Sequence, residues 1–118
     1  PGVSDMRVVG DMHSRKALIA ELSQAFVALP GGLGTVDELF ETLTWSQLGL
    51  HAKPVGVLNL DGYFDSLIEF IDRAVAEGFC LPEHRDLMFC EGDARSLLDR
   101  LPHVRPPRQP KWLTPDEL

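Results

Sequence analysis

Apolar positions in this chain alternate between short runs and longer periodic stretches. Met6 to Val9 is a short strand candidate, and Ala25-Phe26-Val27-Ala28-Leu29 has the length and continuity of a buried strand. Pro54 to Asn59 makes a third such run, and Asp86 to Cys90 a fourth. Between them the spacing becomes helical. Asp11 is placed to cap a helix running to about Gln24, along which Arg15, Leu18, Ile19 and Leu22 share one face. A second helix is predicted from Thr35 to about Leu48, with Val36, Leu39, Phe40 and Leu43 toward the sheet and Gly49 as its stop. Gly62 begins the turn into a third, ending near Gly78 and carrying Leu67, Ile68, Ile71, Ala74 and Val75 at helical spacing. Asp93 is placed to cap a last helix with Ala94, Leu97, Leu98 and Leu101 on one face. Strands alternating with helices predict an α/β fold, a parallel sheet with helices on both faces.

The pattern stops at Leu101. Pro102, Pro106, Pro107, Pro110 and Pro115 interrupt a polar segment, so residues 1–101 read as one domain and 102–118 as an extended, Pro-rich tail that Trp112 and Leu113 could pin to a body or partner. A 118-residue chain with 44% hydrophobic and 25% charged residues is of ordinary globular composition. Its formal net charge of -7 argues against nonspecific binding to nucleic acid or anionic membranes. No apolar run approaches the ~20 residues a membrane-spanning helix needs. No basic-then-apolar leader is visible either, so a cytoplasmic location is the default expectation. Cys80 and Cys90 have no metal or redox spacing and read as reduced thiols.

The most informative stretch is Pro30-Gly31-Gly32-Leu33-Gly34-Thr35-Val36-Asp37-Glu38. It joins the second strand to the second helix through a glycine-rich turn. Glycine lets backbone come close to a ligand, and a helix N-terminus offers free N–H groups and partial positive charge to a phosphate. Two readings of Glu38 stay open. Thr35-x-x-Glu38 matches a capping box, with Thr35 as N-cap and Glu38 at the third helical position. Alternatively, Glu38 is a carboxylate kept beside a ligand site for chemistry. In an open α/β sheet, loops at the carboxyl ends of strands build the ligand crevice. Met12 to Lys16 follows one strand and Pro30 to Glu38 the next, so both segments can reach one crevice.

Pro30-Gly31-Gly32-x-Gly34-Thr35-x-x-Glu38 resembles the PGGxGTxxE signature of the lonely-guy (LOG) family, and Met12-His13-Ser14-Arg15-Lys16 resembles its M-x-x-R-K motif. The likeness continues through Thr44 to His51, Lys53 to Gly56 and Asn59 to Tyr63, and covers roughly Met6 to Leu101. Members are cytokinin-activating phosphoribohydrolases, often mislabelled as lysine decarboxylases. The resemblance implies a Rossmann-like sheet lacking, in this chain, the family's N-terminal strands and their additional glycine-rich loop. With those strands absent, Met6 to Val9 is expected to have an open edge.

The activity implied by the resemblance is hydrolysis of the N-glycosidic bond of a nucleoside 5′-monophosphate, a cytokinin riboside monophosphate or AMP, to free base and ribose 5-phosphate. Glu38 and Arg15 take the family's catalytic positions. Glu38 would stabilise the oxocarbenium-like sugar and handle water, and Arg15 would clamp substrate oxygens. Met12, Lys16, Gly31, Gly32, Gly34 and Thr35 take the substrate-binding positions. No cofactor and no metal is required. Lysine decarboxylation needs a Schiff-base lysine, and Lys16, Lys53 and Lys111, the only lysines, have no convincing cofactor setting. His13, His51, His84 and His103 read as structural or surface residues. Trp45, Leu48 and Glu38 fall on a second side of their helix, which is covered either by a larger core or by another subunit; family resemblance implies a homodimer or higher homo-oligomer. The alternative function is a nucleotide-binding or carrier module of the same fold without hydrolysis, or an inactive fragment.

Overall fold

The computed structural model describes the backbone of residues 6–9 and the structure of residues 24–110. Most of the helix expected after Asp11 lies outside the described residues, with Met12, Arg15 and Lys16, as do Trp112 and Leu113. Four strands form one parallel sheet in simple sequential order: β1 (Met6–Val9), β2 (Ala25–Ala28), β3 (Val55–Leu58) and β4 (Met88–Glu91). Between β2 and β3 runs the helix α1 (Leu33–Gln47), and between β3 and β4 run α2 (Asp65–Ala76) and the short α3 (Pro82–Arg85). After β4 comes α4 (Ala94–Arg100), closed by a 3₁₀ turn at Leu101–His103. Among the described strands β1 and β4 are the two edges.

β2 and β3 are buried along their whole length, which explains why they read as continuous rather than alternating apolar runs. Successive side chains still point to opposite faces. Phe26, Ala28, Val55, Val57 and Met88 meet Leu39 and Leu43 of α1 and Leu67, Ile68 and Ile71 of α2 on one face. Ala25, Val27, Leu58 and Phe89 meet Leu97 and Leu101 on the other. Helices therefore cover both faces, as the alternation predicts. Gly56 lies in β3 where a Cβ would come within 3.0 Å of Phe89 Cζ and 3.5 Å of Leu97 Cδ1, so glycine here permits close packing of α4 and β4.

Helix ends follow local chemistry. α1 and α2 each stop in a glycine with positive φ, Gly49 at 78° and Gly78 at 85°. In each, the next two amides turn back onto the last helical turn: Gly49 N–H donates to Ser46 and Leu50 N–H to Trp45, while Gly78 N–H donates to Val75 and Phe79 N–H to Ala74. Asp93 caps α4 as expected, accepting from Ser96 N–H at 2.8 Å and from its hydroxyl at 2.9 Å. These bonds hold the Asp93 carboxyl below its ordinary range.

Three expectations need correction. Strand β4 starts at Met88 rather than Asp86, because Pro82 opens a helical turn and Leu87 N–H closes onto His84. On α4, Leu97 and Leu101 are buried, whereas Ala94 and Leu98 form an adjacent row that stays in solvent. Finally, α1 begins at Leu33, two residues before the expected Thr35.

Candidate functional site

That early start decides how Glu38 is read. The N-cap is Gly32, with φ of -97° and ψ of -148°, and no side chain caps the helix among the described residues. Thr35 becomes the third helical residue and Glu38 falls in the second turn, too far along for a capping box. The first turn contains no acidic residue. The N-terminus of α1 therefore has no carboxylate in its own first turn. Val36 N–H makes the first bond of the helix, to Gly32 C=O at 3.2 Å.

Glu38 is 5% exposed. Leu39 beside it is fully buried in the core face, and Thr42 one turn on donates its hydroxyl to the Glu38 carbonyl at 2.8 Å. Withdrawing a carboxylate from water costs roughly several kcal/mol before its interactions offset it. A capping box is therefore not the reason this carboxylate is buried.

The turn before α1 is shaped by crowding on one side and openness on the other. At Gly31 a Cβ would collide with the Thr35 hydroxyl and stand 3.1 Å from Thr35 Cβ. Only glycine lets the turn close onto the first helical turn. At Gly32 a Cβ would meet nothing within 4 Å. Gly32 and Gly34 are exposed and Thr35 half-buried, so the backbone here faces an open mouth.

The β3–α2 loop completes this end of the sheet. Asn59 accepts from Phe64 N–H at 2.6 Å, donates to Asp65 at 2.7 Å, and sends its own N–H to the Glu91 carbonyl of β4 at 2.8 Å. Around it Asp61 and Gly62 take φ of 52° and 72°. The loop carries Tyr63 to the Gly31 carbonyl, which accepts its hydroxyl hydrogen at 2.5 Å. The sequence marks Asn59 as a strand end, Gly62 as the start of a turn and Asn59 to Tyr63 as part of the likeness, but assigns no site role to the segment. Its Asp-Gly turn directly after a strand was the available signal for a structured loop at the crevice.

The described residues do not include Arg15, Met12 or Lys16. The parallel register sets Val9 beside Ala28, so the chain leaves β1 and β2 at the same end of the sheet. His51 lies elsewhere. Its Nε2 faces the Thr42 carbonyl at 3.1 Å and its Nδ1 accepts from Lys53 N–H at 3.2 Å, with its ring centroid 5.4 Å from that of Phe26. It is a structural residue, as expected, joining α1 to the entry of β3. Burial pushes it below its ordinary value of 6.5; the Thr42 carbonyl opposes that shift, and the Lys53 charge adds to it. Among the described residues no group of histidine, cysteine or acidic side chains is arranged to hold a metal ion, and no helix is long and apolar enough to cross a membrane.

Comparison with known proteins follows the same residues. A family profile described as "Possible lysine decarboxylase" matches residues 1–101. The rice (Oryza sativa subsp. japonica) protein named probable cytokinin riboside 5'-monophosphate phosphoribohydrolase LOGL9 is 55% identical over 104 residues, 88% of this chain and 46% of that protein. From Arabidopsis thaliana, cytokinin riboside 5'-monophosphate phosphoribohydrolase LOG3 is 52% identical over 88% of this chain and 48% of its own length. The probable phosphoribohydrolase LOG6 of that plant is also 52% identical, over 88% of this chain and 52% of its own length. The chain spans about half the length of the curated relatives it matches.

Proposed function

This chain belongs to the family described as possible lysine decarboxylase, and from that premise we propose that the protein containing it hydrolyses the N-glycosidic bond of a nucleoside 5′-monophosphate. The products are a free base and ribose 5-phosphate. One observation carries the reading: a buried carboxylate, Glu38, stands in the second turn of a helix whose N-terminus opens onto a glycine turn that is uncrowded at Gly32.

The substrate phosphate lies against the backbone N–H groups of Gly32, Gly34 and Thr35, where the helix supplies partial positive charge. Glu38 follows Leu33 by five residues, about 7–8 Å along the axis. That spacing suits a ribose bound by its 5′-phosphate. As the C1′–N bond breaks, positive charge grows on the sugar, and the Glu38 carboxylate stabilises it. Glu38 also orients the water that adds to C1′. The water oxygen ends on the sugar and one of its protons on the departing base nitrogen. Arg15 is assigned to clamp substrate oxygens, with Met12 and Lys16 beside it. The exposed apolar side chains of Leu29 after β2, Leu33 at the start of α1 and Leu60 after β3 suit a base with an apolar substituent, such as a cytokinin.

Among the described residues nothing supplies the Schiff-base lysine that a decarboxylase needs at this site. Lys53, the one lysine among the described residues, precedes β3 and so lies at the opposite end of the sheet from the Gly31 turn. A homodimer through the Trp45 and Leu48 side of α1 accompanies the proposal, since that side shares the helix with Glu38; light scattering of the intact protein checks it.

The test is product analysis. Given AMP or isopentenyladenosine monophosphate without added metal, the intact protein releases base and ribose 5-phosphate, and it leaves the corresponding nucleosides intact. Release from the nucleoside but not its monophosphate contradicts a phosphate-anchored site. Binding without release supports the non-catalytic module instead.

A further inference from the structure

The hydrogen bond from Tyr63 to Gly31 crosses 32 positions of sequence to join two loops at the carboxyl end of the sheet. Tyr63 is 56% exposed, so water is available as an alternative partner and folding alone does not require this contact. Yet the phenol is carefully placed. Its ring stands edge-on to Phe64 at 5.1 Å and 87°, and Phe64 is a core residue. The loop beneath is tied by Asn59 to Asp65, Phe64 and β4, and Gly62 has no Cβ because one would come within 2.6 Å of Asp65 Oδ2.

Peptide geometry gives the contact a consequence. The unit joining Gly31 to Gly32 is planar and trans, so the Gly31 carbonyl and the Gly32 N–H point in opposite directions. Glycines on both sides leave this unit little steric resistance to rotation. If it flipped, a carbonyl oxygen would stand where an N–H donor is wanted, and would repel a phosphate. A hydrogen bond that holds the carbonyl thereby holds the donor.

We propose that Tyr63 is a positioning residue for phosphate recognition: by fastening the Gly31 carbonyl it keeps the Gly32 N–H turned toward the bound anion. This rests on the phosphate-anchored reading given above. Tyr63 does not touch substrate in this scheme and acts only through the turn.

The test is Tyr63→Phe in the intact protein, which removes the hydroxyl and keeps the ring against Phe64. Calorimetric titration with AMP and with adenosine, paired with steady-state kinetics on AMP, provides the readout. With one orienting hydrogen bond lost, AMP binding is expected to weaken roughly five- to tenfold, adenosine binding to stay unchanged, and the loss to fall on KM rather than kcat. An unaltered AMP affinity in Y63F, or equal losses for AMP and adenosine, overturns the assignment of Tyr63 and leaves the phosphate site standing. A wild-type protein that does not prefer AMP to adenosine overturns the phosphate site itself, and this inference with it.

Discussion

The two glycines before α1 should respond differently to the same methyl group. In Gly31→Ala the new Cβ meets Thr35, whose hydroxyl occupies its place and whose Cβ stands 3.1 Å away. Rotating the threonine side chain moves the hydroxyl but not Cβ, so the turn or the first helical residues must shift. Overpacking of this kind costs about 1–3 kcal/mol, and the displaced turn also loses ligand. In Gly32→Ala the methyl enters open space. Stability should then stay within about 0.5 kcal/mol of wild type. The methyl stands in the mouth, however, and keeps the phosphate from a backbone N–H. Loss of one hydrogen bond to a charged group is worth about 1.5–3 kcal/mol, or roughly ten- to 150-fold in Kd. Urea denaturation and AMP titration of the intact variants measure both quantities. Thr35→Ala added to Gly31→Ala removes the hydroxyl clash but not the Cβ contact, so it should restore part of the lost stability, a coupling absent between Gly32 and Thr35. The reasoning is refuted by a Gly31→Ala variant with wild-type midpoint, or by a Gly32→Ala variant that binds AMP as wild type does.

Other outcomes follow from the same geometry. His51 is held neutral in the fold, so its contribution to stability is fully present above pH 6.5 and is lost as pH falls through its lower folded value; His51→Leu should be less stable at pH 7.5 by about 1–2 kcal/mol yet lose stability less steeply toward pH 5, and parallel pH profiles in urea denaturation would refute this. Gly56→Ala presses a methyl against Phe89, which is backed by Leu97 and by the Arg100 guanidinium 4.9 Å from its ring centroid; a loss of about 1–3 kcal/mol is expected, and an unchanged urea midpoint would show that this interface yields.

The alternation of strand and helix was legible because parallel strands buried on both faces make continuous apolar runs, and because Gly49, Gly78 and Asp93 mark helix ends by local chemistry alone. The start of α1 was not. Thr35 with Glu38 imitates a capping box, and nothing local distinguishes it from a helix that begins at a glycine with an 89% exposed leucine in first position. The glycine turn was visible as a candidate site from residue types. Which glycine is crowded and which is open depends on how Thr35 comes round beneath Gly31, which is a three-dimensional fact. The Tyr63 contact was illegible for a similar reason: it joins loops after two different strands, and their approach is set by the β2–β3 register rather than by any local pattern. On α4, helical spacing placed four residues on one face, but only the row of Leu97 and Leu101 packs into the core beneath it.

In the proposed reaction Glu38 works on the sugar and not on the helix. Glu38→Gln keeps the size and hydrogen-bonding capacity of the side chain and removes its charge. The decisive measurement is the rate of base release from AMP or isopentenyladenosine monophosphate by the intact Glu38→Gln protein, with its melting temperature and AMP affinity recorded on the same preparation. The expected result is a fall in turnover of ~10²-fold or more, with melting temperature and affinity close to wild type. Turnover near the wild-type rate would contradict the claim and leave the buried carboxylate as a structural feature of α1.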